Sequence, residues 1–210
     1  MSLQYDNISP DYRIILEWIE KGSSVLDLGC GDGGLLYLLI KEKGVRGHGI
    51  EISVDEIYKC VAKGLNILHG DIEKGLADYR DQSFDYVILN QSLQQIIHVD
   101  PVLQDALRVG KKVIVGFPNF AYYRSRLQML FSGKTPVNAA LPYQWHETPN
   151  LHFLSILDFI EYCRKKKVTI EQQVFLGRSR GVSLFPNVFA QTGIFLISSN
   201  NSTKNSLQRV

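Results

Sequence analysis

Apolar residues along the first 117 positions follow two repeating patterns, one typical of buried strands and the other typical of helices. Short runs that are almost entirely apolar predict five strands, at residues 24–28, 45–50, 65–68, 84–89 and 112–117. Between these runs, apolar residues recur three and four positions apart, which predicts helices. The helices are predicted at residues 10–22, 35–43, 54–63 and 101–109. Ser9 and the Ser53/Glu56 pair match the pattern of helix caps, the latter that of a capping box.

Polar residues follow the predicted strands at regular intervals, and their spacing indicates how the strands are arranged. Asp27 and Glu51 are 24 residues apart, Glu51 and Asp71 are 20 apart, and Asp71 and Asn90 are 19 apart. Each interval accommodates one strand and a return connection, so we expect parallel strands joined by right-handed crossovers. The sequence therefore predicts a doubly wound, Rossmann-like α/β fold that binds its ligand at the carboxyl ends of the strands.

The chain changes character after the fifth predicted strand. Residues 118–150 contain four of the seven prolines together with six aromatic residues. We interpret this stretch as a proline- and aromatic-rich insertion that carries one helix, near residues 122–131, and covers the ligand-binding edge of the sheet. A connection of this length inside a compact domain is usually functional.

Regular patterning returns after the insertion. A helix at residues 155–165 and two strands at 168–175 and 193–197 are predicted, which completes a seven-stranded, mostly parallel sheet. We expect residues 1–197 to form a single domain. Residues 198–210 are rich in serine and asparagine and are predicted to form a flexible tail.

Composition and charge narrow the class of protein. The 210 residues are 45% hydrophobic and 21% charged, which is typical of a globular domain. No apolar run approaches 18 residues and the N-terminus lacks the apolar core of a signal peptide, so neither membrane insertion nor secretion is expected. Cys30, Cys60 and Cys163 form no CxxC pair, which favours the reducing cytoplasm. The net charge of +2 is small for a nucleic-acid binder, and no nucleic-acid partner is expected.

The first predicted strand runs into a glycine-rich loop. Gly29, Gly31 and Gly34 match the G-x-G-x-x-G fingerprint of dinucleotide-binding proteins, which on its own is a weak signal. Asp27 and Asp32 stand beside and within the loop, and two carboxylates there would repel a pyrophosphate. The same carboxylates suit a ligand that has an ammonium and a sulfonium group and no phosphate. S-adenosylmethionine is such a ligand.

The segment 25–33, Val-Leu-Asp-Leu-Gly-Cys-Gly-Asp-Gly, closely resembles the first motif of class I S-adenosylmethionine-dependent methyltransferases. In that family an acid at the end of the second strand binds both ribose hydroxyls and the next residue lies against the adenine, positions held here by Glu51 and Ile52. An Asp after the third strand, here Asp71, accepts the adenine amino group, and residues closing the fourth strand hold the methionine part. The resemblance implies a cofactor site made of Asp27, Gly29, Cys30, Gly31, Asp32, Glu51, Ile52, Asp71, Ile72, Asn90 and Gln91, with S-adenosylmethionine or S-adenosylhomocysteine as ligand.

Three further segments resemble the MetW family of methionine biosynthesis. They are residues 83–95 (Ser-Phe-Asp-Tyr-Val-Ile-Leu-Asn-Gln-Ser-Leu-Gln-Gln), residues 116–120 (Gly-Phe-Pro-Asn-Phe) and residues 141–150 (Leu-Pro-Tyr-Gln-Trp-His-Glu-Thr-Pro-Asn). The resemblance runs from about residue 12 to residue 197 and is dense in the insertion. It implies a cytoplasmic bacterial protein that accompanies a homoserine O-acyltransferase, and it supplies no established methyl acceptor.

The residues that would perform catalysis stay unassigned. The fourth strand is not followed by Asn-Pro-Pro-Tyr or Asp-Pro-Pro-Tyr, which disfavours amide or exocyclic-amine methylation of that type. Gln91 cannot take up a proton near neutral pH. His146 is the candidate base, although an ordinary histidine bonded to a neighbour fits the same position. Cys30 is expected to be an inert thiol, and no spacing of histidines and cysteines predicts a metal site.

Several functions fit these observations. The insertion is compatible with an acceptor pocket, a docking surface for a partner, or a simple cover of the sheet, and the dense family resemblance favours docking. The protein as a whole fits either a methyltransferase acting on a small molecule or a ligand-binding protein that regulates or stabilises an acyltransferase. Nucleic-acid methylation is disfavoured because the sequence shows no appended RNA- or DNA-binding module.

Overall fold

The computed structural model describes residues 8–178 and 180–200. The strands are β1 (Ser24–Leu28), β2 (Arg46–Glu51), β3 (Ile67–His69), β4 (Phe84–Asn90), β5 (Gly110–Pro118), β6 (Val168–Leu176) and β7 (Thr192–Ser199). The helices are α1 (Pro10–Trp18), α2 (Gly34–Lys43), α3 (Val54–Ala62), α4 (Val99–Val109), α5 (Tyr123–Ser132), α6 (Ile156–Lys166) and α7 (Pro186–Phe189), with short 3-10 helices at Ile72–Lys74 and Leu93–Gln95.

All seven strands form one sheet in the order β3-β2-β1-β4-β5-β7-β6. The first five strands run parallel to one another, whereas β7 runs antiparallel to both β5 and β6. The strand order reverses between β1 and β4, and this switch point opens a crevice at the carboxyl ends of those two strands. The predicted doubly wound, mostly parallel sheet is confirmed.

Two apolar layers cover the two faces of the sheet. One layer packs α1, α2 and α3 on the sheet, and the other packs α4 and α6 on it. In β4, Tyr86 and Ile88 belong to the first layer while Val87 and Leu89 belong to the second. A strand buried on both faces must be apolar at nearly every position, which is why this stretch of sequence is almost uninterrupted.

Some predicted element boundaries and caps differ from the structure. The third strand starts at Ile67 rather than Leu65, because the Leu65 N–H still bonds to the last turn of α3. The predicted capping box of α3 is only half formed: Ser53 accepts the Glu56 N–H, while the Glu56 carboxylate pairs with Lys59. Ser9 likewise stands at the N-cap of α1 without capping it, since its hydroxyl bonds to Asp11.

The connection from β5 to α6 contains α5, which confirms the helix predicted near residues 122–131. Within α5 only Ser125 is buried. The end of this connection is held at the sheet edge, because the N–H groups of Leu151 and His152 both bond to the Gln94 carbonyl.

The predicted tail begins too early. Ser198 and Ser199 belong to β7, where they pair with Thr169 and Val168 of β6. The rest of the predicted tail, residues 201–210, lies outside the described residues. Among the residues that the structure describes, no helix is both long and apolar enough to cross a membrane.

Candidate functional site

A cavity of about 1150 Å³ lies at the carboxyl ends of the central parallel strands, where the predicted site residues fall. Ten of the eleven residues predicted to bind the cofactor line it: Gly29, Cys30, Gly31, Asp32, Glu51, Ile52, Asp71, Ile72, Asn90 and Gln91. They come from four successive strand ends, which the parallel topology brings to one edge of the sheet. We refer to this space as the first cavity.

The glycine loop between β1 and α2 forms one wall. Gly29 and Gly31 have φ values of +72° and +54°, a left-handed conformation that glycine adopts without steric cost. A Cβ at Gly29 would lie 3.0 Å from Ser92 Cβ, whereas a Cβ at Gly31 would meet no atom within 4 Å. Gly31 therefore borders open space in the first cavity, and its missing side chain leaves that space to a ligand.

Glu51, at the end of β2, is buried and holds the loops around it. Its Oε2 accepts the Gly31 N–H at 2.8 Å, and its Oε1 accepts the N–H groups of Ile52 and Ser53 at 2.9 Å each. Each carboxylate oxygen has two lone pairs. Three of the four lone pairs are used, so one on Oε2 stays available to a ligand hydroxyl while the carboxylate fixes the glycine loop to β2.

Asp27 is the one predicted site residue that does not line the first cavity. Its side chain lies within β1 and is only 3% exposed. Burial raises the pKa of Asp27 to about 7, and the nearby charge of Glu51 adds to the increase. Asp27 therefore lies behind the wall of the cavity, and its charge depends on pH near neutrality.

Asp32 lines the cavity, but its charge is compensated from outside the glycine loop. The Lys63 ammonium lies 2.7 Å from Asp32 Oδ2, and the Gly34 N–H bonds to Oδ1. The hydrogen bond from Lys63 lowers the pKa of Asp32. Asp27 and Asp32 would therefore repel a pyrophosphate less strongly than their positions in the sequence suggested.

The residues that line the first cavity are, taken together, strongly acidic. Among the described residues, the lining includes six acidic residues and no lysine, arginine or histidine, and two of these acids, Asp32 and Glu56, pair with Lys63 and Lys59. The six acids are Asp11, Asp32, Glu51, Glu56, Asp71 and Glu73. A cavity with this lining disfavours phosphate groups and favours a ligand that carries positive charge.

The end of β4 presents two amide side chains. Asn90 donates from Nδ2 to Asp11 Oδ2 at 2.8 Å, and its Oδ1 is buried without a partner among the described residues. Gln91 has a φ of +59°, unusual for a residue other than glycine, and its carbonyl accepts the side-chain amides of Gln94 and Gln95. Strained backbone of this kind is concentrated at functional sites.

The structure adds lining residues that the sequence did not reveal. Asp11 and Tyr12 of α1 line the first cavity, as do Tyr143 and Pro149 of the predicted insertion. Burial, followed by nearby carboxylates of which Asp11 contributes most, raises the pKa of Tyr12 to about 12. The helix pattern of α1 was visible in the sequence, but no local signal indicated that the helix reaches the ligand edge of the sheet.

The candidate base lies elsewhere. His146 is not among the residues that line the first cavity; its Nε2 is 3.7 Å from Glu147 Oε1, and its ring packs edge-on against Trp145. His152 bonds instead to the Ile96 carbonyl at 2.8 Å. Burial raises the pKa of Cys30, in agreement with an inert thiol. Within the described part of the chain, no group of three His, Cys, Asp or Glu side chains is arranged to hold a metal ion.

A known protein family matches most of this chain. The family model described as "Methionine biosynthesis protein MetW" matches residues 9–197. The bifunctional methionine biosynthesis protein MetXA/MetW of Rhodopirellula baltica is 33% identical over 207 residues, which cover 92% of this chain and 33% of that protein. This chain therefore spans about a third of the length of that relative.

Two solved structures share the fold. A TehB-like SAM-dependent methyltransferase from Corynebacterium glutamicum aligns with a TM-score of 0.61 and 15% identity, covering 92% of this chain and 89% of its own. A SAM-dependent methyltransferase from Thermotoga maritima aligns with a TM-score of 0.63 and 16% identity, covering 90% and 89%. At these identities the likeness concerns the arrangement of helices and strands.

Proposed function

The chain belongs to the MetW family, and on this premise we propose that it binds S-adenosylmethionine or S-adenosylhomocysteine in the first cavity. The observation that carries the proposal is the lining, whose described residues include six acids and no basic side chain. S-adenosylmethionine carries an ammonium and a sulfonium and no phosphate, so this lining suits it and opposes a dinucleotide.

The placement of individual groups supports the same ligand. Glu51 stands at the end of β2 with one spare lone pair for a ribose hydroxyl, and Ile52 and Ile72 offer apolar surface for the adenine. Asp71 uses Oδ1 to accept the Glu73 N–H, which leaves Oδ2 for the adenine amino group. Asn90 Oδ1, buried and unpartnered among the described residues, is an acceptor suited to the ammonium of the methionine part.

Calorimetric titration tests this proposal directly. We expect S-adenosylmethionine and S-adenosylhomocysteine to bind the purified protein and NAD to give no measurable heat. Binding of NAD with equal or higher affinity would overturn the assignment of the cavity.

We further propose that the protein acts in the cytoplasm with a homoserine O-acyltransferase in methionine biosynthesis. The MetXA/MetW relative supports this, because its name places a MetW part and a second methionine-biosynthesis part in one chain. The connection between β5 and α6 supplies a surface for such a partner. Leu130, Phe131 and Trp145 in this connection are 74%, 81% and 73% exposed, which is unusual for large apolar side chains.

Co-purification tests the partner. The acyltransferase carrying an affinity tag is expected to retain this protein on a column, with an affinity that changes when S-adenosylmethionine is added. Retention no higher than that of an unrelated protein of similar charge would overturn the proposed association.

A second function, methyl transfer to a small molecule, is favoured by one observation. A smaller cavity of about 450 Å³ adjoins the first one at the end of β4, where a methyl acceptor would approach the cofactor. Conversion of S-adenosylmethionine to S-adenosylhomocysteine in the presence of small-molecule extracts would support this function. Absence of turnover, with cofactor binding intact, would leave the regulatory role as the better account.

A further inference from the structure

The smaller cavity, which we call the second cavity, lies beside the first along the edge of the sheet. The two share a set of lining residues: Ser9, Asp11, Gln91, Gln95 and Tyr143. The second cavity extends from there towards the ends of β5 and β6, at Pro118 and Leu176, and is bordered by Ala139 and Ala140 of the connection after α5. Because five lining residues are shared, the second cavity directly adjoins the proposed cofactor site.

The polar lining of the second cavity consists mainly of amide side chains. They belong to Gln91, Gln94, Gln95, Asn150 and Gln191. An amide offers both N–H donors and a carbonyl acceptor, so such a wall recognises a ligand rich in hydrogen-bonding groups. The cavity volume is within the range of sites for small molecules.

Gln94 has an unused acceptor. Its Nε2 donates to the Gln91 carbonyl at 2.9 Å, and this carbonyl can only accept, so the orientation of the amide is settled by its partner. The Gln94 Oε1 is left buried without a partner among the described residues, in a side chain that is 4% exposed. An unpaired buried acceptor is costly, and a ligand N–H or O–H that enters this wall would satisfy it.

The second cavity is bordered by an acidic and a basic residue that come from different elements of the fold. Among the described lining residues, the one acid, Asp11, is shared with the first cavity, whereas the one base, Arg178, borders the second cavity alone. Arg178 follows β6, while Asp11 lies on α1. A guanidinium presents a fork of N–H groups that matches a carboxylate.

From these observations we propose that the second cavity binds a small free amino acid or a close analogue. The carboxylate of this ligand pairs with Arg178. The ammonium or hydroxyl group of the ligand donates hydrogen bonds to the amide side chains of the cavity and to Asp11. The small apolar side chains of Ala139 and Ala140 leave room for a short side chain on the ligand. The inference deepens the proposed function and rests on it in one respect, since the ligand would lie beside bound cofactor.

The test uses the full-length protein saturated with S-adenosylhomocysteine and a panel of the twenty L-amino acids as probes, first by thermal shift and then by calorimetry. We expect at least one amino acid to bind. The amino alcohol of the same side chain, which lacks the carboxylate, should bind at least about tenfold more weakly, the effect of losing a charge-assisted hydrogen bond.

Two matched variants locate the site. Arg178→Gln should weaken binding of the amino acid by about tenfold and leave S-adenosylhomocysteine affinity unchanged. Arg180→Gln, an exposed arginine two residues away that does not line the cavity, should change neither affinity. The proposal is overturned if no amino acid binds the loaded protein, if the amino alcohol binds equally well, or if Arg178→Gln binds like the wild type.

The two proposals fail in different ways. If S-adenosylhomocysteine itself does not bind, the proposed cofactor site is wrong, and the panel titrated into the unloaded protein then decides the second cavity by itself. If S-adenosylhomocysteine binds and every amino acid fails, the cofactor site stands and the second cavity has another role.

Discussion

The Glu51 carboxylate and the Gly31 N–H form a 2.8 Å hydrogen bond that joins the end of β2 to the glycine loop after β1. The two residues are 20 positions apart in sequence. Glu51 ends β2 and Gly31 follows β1, and these two strands are neighbours in the parallel part of the sheet. The bond places an acid with one spare lone pair directly beside a glycine that borders open space. The geometry of the glycine loop and the proposed recognition of the ligand therefore depend on the same side chain.

Replacing Glu51 with alanine should impair both binding and stability. It removes the acceptor for three backbone N–H groups and the acceptor proposed for a ribose hydroxyl, at about 1.5–3 kcal/mol for each charged hydrogen bond lost. We expect a large loss of S-adenosylhomocysteine affinity by calorimetry and a lower melting temperature, with Glu51→Gln intermediate. Glu56→Ala is the control, because Glu56 lines the cavity but its carboxylate pairs with Lys59 at the surface. An unchanged affinity in Glu51→Ala would show that Glu51 only closes the strand.

A side chain at Gly31 should block the ligand. Gly31→Ala forces alanine into a positive φ, which costs about 1–2 kcal/mol, and directs a methyl group into the first cavity. Gly44→Ala has the same backbone cost at a φ of +62° with open space around it, but it ends α2 away from the cavity. Both variants should lose similar stability in denaturant, and only Gly31→Ala should lose S-adenosylhomocysteine binding. Equal binding by the two variants would contradict a close approach of the ligand to Gly31.

Asp27 should make stability fall as pH rises towards neutrality. Its pKa increases from 3.8 to about 7 on folding, so the folded state keeps a proton that the unfolded state releases above about pH 4. This contribution is fully present below pH 4 and is lost as pH rises through 7, roughly 4 kcal/mol in all. Asp27→Asn stays neutral and should lack this loss in unfolding measurements between pH 5 and 8.

Asp85 provides the control for that measurement. Hydrogen bonds from Lys111 and Ser24 lower the pKa of Asp85 to about 2, so its contribution is present above pH 4 and lost only in acid. Asp85→Asn should therefore lower stability by a constant amount between pH 5 and 8. If Asp27→Asn retains the wild-type slope in this range, another group is responsible for it.

Trp145→Ala should separate partner binding from ligand binding. Trp145 is exposed and lines neither cavity, so truncating it should weaken association with the acyltransferase and leave S-adenosylhomocysteine affinity unchanged. Tyr58→Ala removes a similarly exposed aromatic ring from α3 and should affect neither. Loss of ligand affinity or turnover in Trp145→Ala, with association intact, would assign this segment to an acceptor pocket.

Most of the fold was predictable because local patterns and topology agree. Buried parallel strands must be apolar and must return through a connection, so the spacing of Asp27, Glu51, Asp71 and Asn90 already implied where the strand ends meet. Boundaries were less predictable. The start of β3 depended on a hydrogen bond from Leu65 to the end of α3, which no hydrophobic pattern encodes.

By itself, the sequence determined the doubly wound sheet, because side chains at the carboxyl ends of parallel strands converge wherever that topology forms. Ten of the cavity-lining residues were implied by its resemblance to class I methyltransferases. Only the tertiary structure decided which charges face the cavity and which are compensated. Lys63 compensates Asp32 from 31 residues away, and burial within the sheet removes Asp27 from the cavity wall. It also decided that Asp11 of α1 reaches the site, since the docking of a helix over an edge depends on packing between distant segments rather than on its own residues.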